Sequence, residues 1–138
     1  MKVNEVLEYN RIIKAIIDNA SDVNALVKFR LLGMLKQFEP IVGNFETIRQ
    51  EKIMEYGTQT EDGNTGIIPP KKEDFEKDED YDKAFKTFED TVKKFNDDLN
   101  EVANSEAEIN LKKFKYTDIV DAGIPADYLV AIYDLIEE

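Results

Sequence analysis

The chain has no cysteine and no histidine, and these two absences together remove much familiar catalytic chemistry. Without cysteine there is neither a disulfide framework nor a thiolate metal site, a composition that fits a reducing cytoplasm. Ser–His and Cys–His nucleophile pairs are excluded, and Ser21 and Ser105 stand in no nucleophile elbow. Arginine occurs only at positions 11, 30 and 49. The pairs Lys71-Lys72, Lys93-Lys94 and Lys112-Lys113 are isolated within an acidic chain, so the basic footprint of a nucleic-acid-binding protein is missing. The longest apolar run, Tyr128 to Tyr133, is too short to span a bilayer. The start, Met1-Lys2-Val3-Asn4-Glu5, lacks the apolar stretch of a signal peptide. The expectation is a protein that binds neither nucleic acid nor membrane and carries no cofactor or metal.

What the chain does contain is apolar and acidic. Its 138 residues are 42% hydrophobic, with 8 Phe and 6 Tyr, enough to bury the core of one folded domain. The net charge of -12 is concentrated in two places. Glu73 to Asp82 holds seven acids against Lys77, and Thr117 to Glu138 holds six acids and no base. Such a surface favours solubility and basic partners.

Periodicity supplies the architecture. Tyr81, Phe85, Phe88, Val92, Phe95, Leu99 and Val102 alternate four and three apart, the signature of a helix docked along another. Val27, Leu31, Met34, Phe38, Ile41, Phe45 and Ile48 repeat the pattern upstream, and a phase shift beyond Ile48 suits packing against more than one neighbour. Helices are predicted over about 4–19, 22–56, 78–104 and 126–136, with short strands at about 65–69 and 108–114. Asn4 is a candidate cap for the first helix, Ser21 for the second and Thr117 for a short turn before Gly123. Pro40 should kink the second helix near Phe38, and Gly57 should end it in a left-handed conformation. Asp62-Gly63-Asn64 is a turn, and Pro125 starts the last helix. The predicted fold is mainly α: a long antiparallel, coiled-coil-like helical hairpin with a small β element and short C-terminal helices, in a single domain over 1–138.

Two metal patterns fail on their own terms. Asp78, Asp80, Asp82 and Glu89 match four places of a calcium loop, but Lys83 stands where the sharp turn needs glycine. These acids read as a solvated helix start at the positive end of the dipole. Glu73 and Glu76 form a Glu-x-x-Glu pair like those of all-helical magnesium pyrophosphohydrolases, yet no second pair follows on a later helix.

The stretch Leu35-Lys36-Gln37-Phe38-Glu39-Pro40, continuing through Phe45-Glu46-Thr47-Ile48-Arg49 to Met54-Glu55-Tyr56-Gly57, resembles a family of small, uncharacterised bacteriophage and prophage proteins. An Asp-Gly turn, an acidic helix and a strand-plus-helix ending like Ile109 to Glu138 extend the likeness. The resemblance implies a phage origin and transfers no functional residue. It leads to the expectation of a non-enzymatic interaction protein, a virion structural or assembly component located in the host cytoplasm or in the virion. The alternative is an acidic inhibitor of a host nuclease or defence enzyme acting by DNA mimicry. Its partner would be a phage structural protein or a basic host protein. Candidate contact residues are the acids Asp78, Glu79, Asp80, Asp82, Asp118, Asp121 and Asp127, with Leu129 and Ile132 as apolar contacts.

Overall fold

Residues 3 to 19 alternate apolar positions at helical spacing, and in the computed structural model they form helix α1 (Val3–Asn19). The structure describes residues 1–137. Helix α1 buries Val3, Val6, Tyr9, Ile12, Ile13 and Ile16. It starts one residue earlier than expected: Asn4 lies inside the helix, and Glu5 Oε1 accepts a 3.1 Å hydrogen bond from the Lys2 amide.

Helix α2 (Ala25–Tyr56) is capped by Asn24 rather than Ser21. The Asn24 Oδ1 atom accepts the Val27 amide at 2.9 Å, three residues on, where a cap side chain reaches naturally. The helix continues through Pro40. Lys36 and Pro40 are both exposed, so water can satisfy the carbonyl that loses its amide partner. Gly57 ends the helix by a different means from the one predicted. The positive-φ glycines are Gly63 and Gly123, not Gly57. A Cβ at Gly57 would instead stand 2.5 Å from the Ile53 carbonyl oxygen and 2.9 Å from that of Gly66, so this position is needed for space.

The described chain forms two compact units: Met1–Gly43 with the described part of Asn104–Glu138, and Asn44–Ala103 between them in sequence. Helix α2 belongs to the first through Gly43 and to the second from Asn44. In the first unit Val27, Leu31, Met34 and Phe38 pack on the α1 face, and Phe114, Ile119, Ala122, Ile124, Ile132 and Leu135 from the tail complete the core. The first half of the upstream stripe thus serves this core.

The tail departs from the predicted boundaries. The strand expected over 108–114 contracts to β3 (Phe114–Lys115, numbered after the β1 and β2 strands of the second unit), because Ile109 and Leu111 satisfy their alternation by packing on the core. Helix α4 (Tyr116–Ile119) is preceded by Lys115, so Thr117 lies inside it rather than capping it. Helix α5 (Ala126–Ala131) stops well short of Ile136. A 3-10 turn over Tyr133–Leu135 follows, and its three-residue period keeps Ile132 and Leu135 both buried. Strand β4 (Ile136–Glu137) then pairs parallel with β3, Phe114 opposite Ile136.

In the second unit β1 (Thr58–Gln59) and β2 (Thr65–Gly66) form an antiparallel ribbon around the Gly63 turn. The predicted strand over about 65–69 contracts to Thr65–Gly66, and Pro69 has no amide with which to extend a ladder. Each β-bearing segment forms its own two-stranded ladder. Helix α3 (Asp78–Ala103) follows the heptad closely. It runs antiparallel to the end of α2: Tyr56 Oη donates to Asp98 Oδ2 at 2.7 Å, while Ile67 and Ile68 line a cleft with Ala84 and Phe88 nearer the α3 start. Phe45, Ile48 and Ile53 on α2, with Phe88, Val92, Phe95 and Leu99 on α3, are only half-buried.

Candidate docking surfaces

Helix α2 is apolar on two opposite faces. One, through Val27, Leu31, Met34 and Phe38, is buried in the first unit's core. The other carries Leu26, Phe29 and Leu32, which are 71%, 74% and 46% exposed. At 100° per residue Phe29 lies nearly opposite the buried stripe, with Leu26, Leu32 and Gly33 around it. A helix that is apolar all round normally has cover on both sides. The Val23 to Phe38 stretch contains no acid, whereas Lys28, Arg30 and Lys36 are basic. Sequence reasoning centred on the stripe overlooked this face. The signal was the run of leucines and phenylalanine lying off the four-three repeat inside an acid-free segment.

Of those cations, Arg30 is turned toward the tail. Its guanidinium sits 4.2 Å from the centroid of the Phe114 ring, donates to the Lys113 carbonyl at 3.3 Å and approaches Asp118 Oδ2 at 3.9 Å. Planar stacking on a buried ring is a role suited to arginine. Asp118 is therefore partly occupied within the chain.

The residues expected to meet a partner are distributed unevenly. Asp78, Glu79, Asp80 and Asp82 are all exposed on the first turns of α3, in the second unit. No ion pair involves them among the described residues. Asp118, Asp121 and Asp127 are also exposed, but they belong to the first unit. Leu129 is half-buried against the core, and Ile132 is fully buried, so Ile132 offers no surface to a partner.

Two further surfaces carry aromatic side chains. Tyr116 and Tyr133, 57% and 66% exposed, flank an open cleft of about 720 Å³ with Lys115, Thr117 and Glu137. Phe75, just before α3, and Tyr81, Phe85 and Phe88 on it form a chain of ring contacts with centroids 6.0, 6.0 and 5.9 Å apart. These distances are those of favourable edge and offset pairs.

Most of the shifted titratable groups are tuned by local hydrogen bonds, and Tyr9 first by burial. The Tyr56 hydroxyl holds the Asp98 carboxyl below its ordinary value, with Lys52 adding a smaller effect. Hydrogen bonds from Arg49, then Gln50, hold Glu46 down to about 2. Burial raises the Tyr9 hydroxyl, and nearby Asp134 raises it further. Among the described residues no group of three acidic side chains converges to hold a metal ion. Nor is any described helix long and apolar enough to cross a membrane. No protein-family model, curated protein or solved structure matches the chain.

Proposed function

We propose that this chain is a non-catalytic protein-docking protein, of the virion structural or assembly kind that its phage resemblance implies. Its action is to hold protein surfaces together in the host cytoplasm or in the virion. One observation carries the reading: Leu26 and Phe29 stand almost bare on α2, in a segment without carboxylates. Large apolar side chains clustered at a surface mark interaction sites, because water contact costs free energy that a partner removes. An apolar helix face would form the centre of the contact, with Lys28 and Lys36 at the rim.

The acids at the start of α3 favour the second reading, an inhibitor that presents carboxylates to a basic nucleic-acid-binding protein. They are exposed and make no ion pair among the described residues. Salt separates the two. Capture of a phage structural protein that survives a high-salt wash and is lost in Phe29→Asp supports docking through α2. Capture of a basic host protein that elutes steeply with salt, and is lost when Asp78, Asp80 and Asp82 become asparagine, supports mimicry.

A further inference from the structure

We infer that the outward face of α2 pairs with the same face of a second copy of this chain. This rests on the docking reading above and names its occupant. The face holds both halves of a self-complementary contact. Phe29 is a projecting knob, 74% exposed, and Gly33, one turn later on the same side, is a notch. A side chain added at Gly33 would meet nothing within 4 Å, and its backbone is not in the left-handed region. The fold of one copy gives no steric reason for glycine at 33 or at 43 in this helix, where glycine weakens it, and Gly33 is the one that lies a turn from Phe29.

A two-fold pair supplies that reason. In an antiparallel crossing centred between the two positions, Phe29 of each copy seats over Gly33 of the other. The missing Cβ lets the helix axes approach, as ridge-into-groove packing requires. Leu26 and Leu32 flank the crossing on either side. Knob and notch on one face is what an isologous interface demands, since each surface must fit itself.

Charge permits the pairing, with only lysines to be kept apart across it. On a molecule of net charge -12, most faces bring carboxylates together when two copies meet. Val23 to Phe38 contains none, and its Arg30 charge is already directed at Phe114 and Asp118. The stems of Lys28 and Lys36 can lie on the partner copy's leucines while their ammonium groups stay in water. Leu26, Phe29 and Leu32 present roughly 300 Å² of apolar surface per copy, comparable to the largest apolar patch of a typical monomer. Two such patches supply about 600 Å², half of the roughly 1,200 Å² at the lower end of stable complexes, so the polar rim must supply the rest and the pair is a weak one.

Sedimentation of the full chain over a micromolar-to-submillimolar series tests this. The expected result is a mass rising from 15.9 kDa toward twice that value. Phe29→Asp and Gly33→Leu should each weaken the pair by at least about tenfold. Both variants should keep the wild-type melting temperature at the lowest concentration, with Gly33→Ala raising it. A wild-type chain that stays at 15.9 kDa throughout overturns the inference, as does a dimer that persists in both variants. If the chain is monomeric and Phe29→Asp still abolishes capture of a different protein, docking through α2 stands and the second copy is wrong. If the chain is monomeric and Phe29→Asp changes no capture, both fall.

Discussion

Two glycines in this chain do opposite things. Gly123 has φ +88°, and a Cβ there would overlap the Asp22 carbonyl oxygen. Next to it the Asn24 amide donates to the Ala122 carbonyl at 2.8 Å, so the tail is clamped on the turn between α1 and α2. Gly123→Ala should therefore cost about 2–3 kcal/mol, read from urea unfolding. Gly33→Ala should do the reverse and stabilise by about 0.5–1 kcal/mol, because its site is open and helical. At Asp98 the Tyr56 hydroxyl holds the carboxyl low. A depressed carboxyl adds stability above its unfolded pKa, and that contribution fades as pH falls through the folded one. The stability difference between wild type and Asp98→Asn should accordingly be constant from neutral pH to the ordinary aspartate range and shrink below it. Urea melts at successive pH values measure it, and a difference that grows in acid would refute the role.

At the scale of elements, the α2–α3 seam is the test of how much a half-buried heptad contributes. Phe88 lies in its middle and is only partly shielded. Phe88→Asp should cost roughly 1–3 kcal/mol and lower helical ellipticity, while the first unit retains a cooperative melt. Loss of all structure would mean that the two units do not unfold separately. The boundaries of α3 and the Gly63 turn were legible from residues alone, because period and turn chemistry are local. The cap at Asn24 was misplaced at Ser21 by three residues, the usual reach of ambiguity where several capping residues adjoin. Strand β4 was not legible. A two-residue parallel ladder has no period to detect, and Ile136 leaves the helix only because Phe114, far away in sequence, is there to pair with it. The outward face of α2 was legible in principle, from Leu26, Phe29 and Leu32 lying off the main stripe, but no sequence rule says which of two apolar faces a core will take.

The two units differ in what holds them. Every fully buried hydrophobic side chain, from Val3 through Phe38 and from Phe114 through Leu135, belongs to the first. The second is held by half-buried seam residues, the short β1–β2 ribbon and exposed pairs such as Lys93–Asp97, which contribute little in water. Local opening follows buried apolar contact and backbone protection, so opening should begin in the second unit. Native-state hydrogen exchange reads this directly. Amides of Val92, Phe95 and Leu99 on α3 should exchange through openings that cost at least about 2 kcal/mol less than those exposing Ile13 and Ile16 on α1. Low denaturant should leave the α1 exchange flat while the α3 exchange rises early. Helix α2 makes the comparison internal, since Leu31 and Met34 lie in one unit and Ile48 and Ile53 in the other. A single opening energy along all of α2 would show that the helix couples the two units into one cooperative structure. A step in protection between its two halves would show that the hairpin arm opens while the core that displays Leu26 and Phe29 stays folded.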